Sequence, residues 1–145
     1  MHIFARNTAR PVTPAVRPAS TAPSAGKHLE SAALEAISRG SHEAFAALFD
    51  RTAKDLAADL TARLPEPRQR IAILAATYVE LWWLAGCRSD AESDTAQWIN
   101  RIMDRRIADW RRDPAVPPHH ESGLSRAEHE LAELLGRPIE DLWPL

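Results

Sequence analysis

The stretch IAILAATYVELWWLA (71–85) decides the fold, because it is apolar around almost its whole circumference. No strand-like alternation occurs between 28 and 112, so we interpret the stretch as the centre of a helix over 67–86. We expect one side to face the core: Ile71, Leu74, Ala75, Tyr78, Leu81, Trp82 and Ala85. The other side carries Ala72, Ile73, Ala76, Thr77, Glu80, Trp83 and Leu84. Such a helix is buried on both sides, under the N-terminal helix or under 124–145, or it forms an interface.

Capping and breaking residues divide the remaining sequence up to Arg112 into further helices. Gly40 is a natural end for a first helix, and Ser41 is a candidate N-cap for a second. Pro65 breaks that second helix, and Asp94 is a candidate N-cap for the last one. We therefore predict helices over 28–39, 41–64, 67–86 and 94–112.

Both ends of the chain differ in composition from this helical region. Residues 1–27 contain four prolines, three arginines and one lysine but no acid, which predicts a disordered basic arm. Residues 113–123 are a proline-containing linker. The segment 124–145 predicts a short helix capped by Ser125 and closed by Gly136. We expect it to dock on the main body through Leu131, Leu134, Leu135 and Trp143.

Composition and motif content together predict a cytoplasmic protein that is not an enzyme. The 145 residues are 45% hydrophobic and 26% charged, with a formal net charge of −2, which is typical of a soluble domain. The single cysteine, Cys87, excludes an internal disulfide. Neither a transmembrane run nor a secretory leader is recognisable. No metal-ligand spacing, phosphate-binding loop or grouped nucleophile occurs, so we expect no cofactor and no metal.

The helix predicted to end at Arg112 carries a stripe of basic residues. On a helical wheel Arg101, Arg105 and Arg112 fall within about 40° of each other, beside an apolar side. Three guanidiniums in one stripe suit a phosphate backbone, although most such stripes are simply solvated. Arg106 points toward the apolar side, so we expect a structural ion pair with Asp109 or with an acid on the second helix.

The order and spacing of several short motifs resemble region 2 of bacterial sigma factors of the extracytoplasmic-function type, in the sigma-70 family. The resemblance covers 44–112, so the fold it implies is an all-α, compact helical bundle like sigma region 2. The second DNA-reading domain, region 4, is missing from the pattern. The matching pieces are AFAALFDRTA (44–53), LPEP (64–67), YVELW (78–82), Trp98 and RIMDRRIADWRR (101–112).

The resemblance implies two binding surfaces. In the family, the last helix and the loop before it engage the −10 promoter element, which would make Trp98, Arg101, Arg105, Arg111 and Arg112 the DNA-binding residues. The outer face of the third helix docks on the β′ clamp of core RNA polymerase, which would involve Ile73, Thr77, Glu80, Trp83 and Leu84. An anti-sigma factor or a second transcription factor is a further partner that the family suggests.

Two departures from the family pattern leave a second hypothesis open. Ala75 and Ala76 stand where a Gln-Glu pair is usual, and the loop CRSDAESDTAQ (87–97) is acidic instead of aromatic and glycine-rich. Acids beside a DNA groove repel phosphate. The first hypothesis is a sigma-like transcription regulator that binds polymerase and −10 DNA, with a partner supplying further promoter contacts. The alternative is a non-DNA-binding interaction protein with a degenerate sigma fold, an anti-sigma decoy or a polymerase adaptor.

Overall fold

The computed structural model describes residues 22–87, 94–112 and 125–143, and these ranges form five α-helices and no strand. This confirms the all-α bundle expected from the sequence. The helices are α1 (Ala22–Ser38), α2 (His42–Arg63), α3 (Pro67–Leu84), α4 (Thr95–Arg112) and α5 (Arg126–Leu135). Two short 3₁₀ turns follow α3 and α5, at Ala85–Cys87 and Ile139–Asp141.

The predicted caps are in place at both ends of the bundle. The Ser41 hydroxyl accepts the backbone N–H of Ala44 at 3.2 Å and starts α2. Ser125 and Glu128 form a reciprocal capping box at the start of α5, both largely buried. Gly40 and Gly136 have φ values of +89° and +63°, which a glycine adopts without the steric cost of a Cβ. The capping serines and the two glycines therefore determine where α1 ends, where α2 begins and where α5 begins and ends.

α3 is the central helix, because it contacts each of the other four described helices. Tyr78, Ala75 and Leu81 in its middle are completely buried. On the α2 side, the Tyr78 ring packs edge-on against Phe49 with ring centroids 4.8 Å apart. Trp82 packs against Phe45 in the same way, at 5.3 Å. The core therefore forms around α3.

The Tyr78 hydroxyl is satisfied within this core. It lies 2.6 Å from the Thr52 hydroxyl, which in turn donates to the Leu48 carbonyl at 2.8 Å. Tyr78 is therefore the donor to Thr52. Burial raises the pKa of the Tyr78 phenol well above its ordinary value, so it stays protonated and keeps this bond.

The C-terminal segment docks on α2 and α3, as the sequence predicted. Leu131 and Leu142 are completely buried, while Leu134 and Trp143 are partly buried against the core. Arg137 donates to both carboxylate oxygens of Asp50 on α2, at 2.5 and 2.7 Å. This hydrogen bonding lowers the pKa of Asp50, so the pair persists through neutral pH and weakens on acidification.

The first helix begins earlier than expected, at Ala22 instead of near residue 28. Pro23 does not prevent this earlier start, because it lies in the first turn of α1, where a missing N–H costs nothing. The remainder of the predicted arm, most of the acidic loop and the predicted linker, at 1–21, 88–93 and 113–124, lie outside the described residues.

The segment Pro67–Cys87 is long and apolar enough to cross a membrane by length and composition alone, with a mean hydropathy of 1.2. A central helix of a soluble protein meets the same criterion. Here helices pack around α3, and its single acid, Glu80, is ion-paired to α4. We therefore interpret it as the central helix of the bundle.

Docking of α5 should contribute measurably to stability. Replacing Leu131, which is fully buried, with alanine removes apolar contacts and leaves a cavity, so Leu131→Ala should lower the free energy of unfolding by about 2–5 kcal/mol. Urea denaturation measures this directly. Glu133→Ala, at an exposed position on the same helix, should change it by less than about 0.5 kcal/mol. Equal small effects of both changes would show that α5 is not packed on the core.

Candidate partner and nucleic-acid surface

α4 presents three different edges because its sequence is strongly amphipathic. Asp94 caps it as predicted, its carboxylate accepting the backbone N–H of Ala96 at 3.0 Å. One broad side is buried against the other helices: Thr95, Trp98, Ile99, Ile102, Met103 and Ile107. The exposed side divides into a basic edge near α3, which carries Arg105 and Arg106, and an acidic edge near α2, which carries Asp104.

Glu80 of α3 joins two arginines of the basic edge. Its Oε1 accepts from Arg105 Nη2, and its Oε2 accepts from Arg106 Nε at 2.7 Å. The Glu80 side chain is only 16% exposed, against 54% for Arg105 and 42% for Arg106. Two cations sharing one half-buried carboxylate form a stronger unit than an isolated surface pair. The unit anchors α4 to α3.

The ion pair predicted between Arg106 and Asp109 does not form. Arg106 instead pairs with Glu80 on α3. A helical wheel of α4 could not predict this, because it shows only the residues of α4. Asp109 pairs instead with Arg112, three residues later, at 3.1 Å. The correction follows from packing, since the Arg106 side of α4 faces α3, where a carboxylate is already partly desolvated.

The predicted DNA-binding residues fall into two groups. Arg101, Arg105, Arg111 and Arg112 are exposed on α4, as a phosphate-contacting role requires. Trp98 is only 8% exposed and belongs to the hydrophobic core. It therefore cannot stack on an unpaired base while α4 stays packed. Arg105 and Arg112 have acidic partners that compensate part of their charge.

The residues predicted to bind a protein partner are mostly inside the bundle. Ile73 is 6% exposed, and Thr77 is fully buried with its hydroxyl donating to the Ile73 carbonyl. Both share a helical face with Glu80, whose partners are on α4, so this face points toward α4. The prediction that Ile73 and Thr77 form an open surface is therefore corrected, and Leu84 is half-buried.

Trp83 is the predicted partner residue that does reach solvent. It is 67% exposed, and Leu29 at 62% is the other large apolar side chain so exposed among the described residues. Its indole N–H donates to the Glu130 carboxylate of α5 at 2.9 Å, which orients the ring. Trp83 lies one helical turn after Glu80, which Arg105 and Arg106 contact. α3 thus carries an exposed, oriented indole one turn from its ion pairs with α4.

The opposite edge of α4 lines an acidic groove that the sequence did not predict. This groove of about 560 Å³ is formed with α1 and α2. Arg63 bridges to Asp104 at 2.6 Å and lies 3.6 Å from Asp59, which partly compensates the acids. The net negative charge of the lining residues should repel a nucleic acid from this groove. The charged residues lining the groove are Glu30, Arg51, Asp55, Asp59, Arg63 and Asp104.

Comparisons with known proteins give no assignment, because the chain matches no family model, no curated protein and no solved structure. Within the described ranges there is also no group of three or more histidine, cysteine, aspartate or glutamate side chains that could hold a metal ion. The geometry of the α3–α4 surface is therefore the basis for any functional proposal.

Removing the Glu80 charge should both loosen α4 and expose cations. We expect Glu80→Gln to lower the free energy of unfolding by about 1 kcal/mol, since two charged hydrogen bonds are weakened. Freed arginines should also steepen the salt dependence of single-stranded DNA binding, by about 0.7 in the log–log slope for each additional phosphate that is neutralised. Glu35→Gln, which removes an exposed pair with Arg39, is the matched control. Indistinguishable behaviour of the two variants would contradict the anchoring role of Glu80.

Proposed function

We propose that this protein is a cytoplasmic sigma-like transcription regulator that binds core RNA polymerase. The motif spacing over 44–112 supports this function, together with one structural observation, the exposed Trp83 on α3 whose indole is oriented by Glu130. By the resemblance, α3 is the helix that meets the β′ clamp of polymerase. Trp83 is the anchor of this contact, taking the role expected of the buried Ile73 and Thr77.

An exposed tryptophan is well suited to anchor a protein contact. Large aromatic side chains dominate binding energy when a partner buries them. The indole of Trp83 is pre-oriented by its bond to Glu130, so little side-chain entropy is lost on binding.

DNA contact in this proposal is made to the phosphate backbone of the −10 region. Arg101, Arg111 and Arg112 are exposed on α4, and guanidiniums bind phosphate well. Trp98 supports the fold of α4 from the core and does not hold a base. Since phosphate contacts position a protein without reading sequence, promoter selection depends on polymerase or on another protein.

A protein-only function is the second candidate, and the Glu80 unit favours it. Glu80 compensates Arg105 and Arg106, Asp109 compensates Arg112, and the other edge of α4 is acidic. Such a surface repels DNA more than a free basic stripe would. In that case the chain acts as a polymerase adaptor or an anti-sigma decoy, and its protein partner again binds at Trp83.

The polymerase contact is tested by co-elution of the purified chain with bacterial core RNA polymerase on a sizing column. Trp83→Ala should weaken binding by at least roughly 30-fold, the effect of losing an anchor worth about 2 kcal/mol. Leu29→Ala removes an equally exposed apolar side chain on α1 and should bind as the unaltered chain does. Absent co-elution, or equal effects of both changes, would reject the proposed contact.

The two candidate functions differ in whether promoter binding requires the exposed arginines of α4. If α4 contacts phosphate, Arg111→Glu/Arg112→Glu should reduce affinity for a polymerase complex on a bubble-containing promoter and flatten its salt dependence. Arg39→Glu/Arg126→Glu changes the net charge equally, at exposed positions just after α1 and on α5, and should leave both unchanged. An unchanged promoter affinity in the first variant, with polymerase binding intact, would establish the protein-only function instead.

A further inference from the structure

An apolar groove runs between α2 and α3 on the side of the bundle away from α4. Its volume is about 300 Å³, at the lower end of the range for small-molecule sites. Leu60 and Leu74 are buried at its floor, and the half-buried Trp143 closes one end. The other apolar lining residues are Ala53, Ala57, Ala58, Pro67 and Ile71. The space is large enough for one short aliphatic or aromatic molecule.

The charged residues that line this groove have one sign. Lys54 lines it from α2 and Arg70 from α3, and no carboxylate lines it within the part of the chain that the structure describes. Arg70 donates to the Leu64 carbonyl at 3.3 Å, a bond that positions the guanidinium without neutralising it. This pattern is the reverse of the acidic groove beside α4. An apolar ligand with a single negative charge complements it.

We propose that this groove binds a small amphipathic carboxylate, with its apolar body against Leu60, Leu74 and Trp143 and its carboxylate between Lys54 and Arg70. Apolar walls with few placed polar groups are the usual composition of a small-molecule site. Charge-assisted hydrogen bonds from two cations fix the orientation of the ligand. Because Trp143 packs on Phe49 of α2, the ligand also stabilises docking of the C-terminal segment.

This inference does not depend on the polymerase contact, since the groove shares no residue with the Trp83 surface or the basic edge of α4. It adds a ligand-sensing role to the domain. Binding to the folded state raises its stability by mass action, so a bound carboxylate should also raise the unfolding temperature.

The test uses decanoate as the probe, below the concentration at which it forms micelles, with calorimetric titration of the full chain. We expect saturable binding of one molecule, and decan-1-ol, which lacks the charge, should bind roughly tenfold more weakly. Lys54→Glu should weaken decanoate binding by a similar factor. Arg51→Glu, one turn earlier on α2 but lining the acidic groove, should leave it unchanged.

A second variant tests the apolar body of the site. Ala57→Leu fills the groove and should abolish decanoate binding, whereas Ala47→Leu, at an exposed position elsewhere on α2, should not. Thermal denaturation of each variant shows that it is folded. Absence of binding to the unaltered chain, or binding that survives both Ala57→Leu and Lys54→Glu, would overturn the proposal. A concentration-dependent dimer that Ala57→Leu disperses would assign the groove to a second copy of the chain instead.

Discussion

The fold depends on burying α3, because this helix is apolar around almost its whole circumference. Tyr78, Ala75, Thr77 and Leu81 are completely buried, which is possible only if several helices pack around one. α2, α4 and α5 each contact it. Removing that apolar surface from water is the main favourable term in folding a domain of this size. The C-terminal segment is therefore part of the core and not an appendage.

A second constraint is electrostatic and concerns Glu80. A carboxylate that is mostly covered needs partners, and α4 supplies two guanidiniums. That requirement fixes which side of α4 faces α3. It also decides what remains available for binding, since the paired arginines lose part of their positive charge to the fold. The exposed side chains include Trp83 of α3 and Arg101, Arg111 and Arg112 of α4.

Features that depend on local chemistry were predictable from the sequence. The caps at Ser41, Asp94 and Ser125 follow from side chains that satisfy free backbone N–H groups within three residues. The docking of Leu131 and Leu135 followed from helical periodicity, since an amphipathic helix must bury its apolar side.

Features that depend on how helices pack were not predictable in the same way. A helical wheel shows that Thr77 lies on an apolar side, but not whether another helix of the same chain covers it. The partner of Arg106 is 26 residues away on another helix, and no local rule selects it over the nearby Asp109. The acidic groove beside α4 likewise joins residues from three helices. To predict any of these features, one must know how the helices are placed relative to one another. Side-chain packing across the bundle determines that placement.

The Thr77 face of α3 is closed by the chain itself, whereas Trp83 on the same helix is open to solvent. Thiol labelling in a Cys87→Ser background tests this difference with two single variants, Thr77→Cys and Trp83→Cys. We expect labelling at position 77 to be at least roughly a hundredfold slower than at position 83, because a buried thiol reacts only when the structure opens. Similar fast rates at both positions would show that other helices do not cover the Thr77 face of α3.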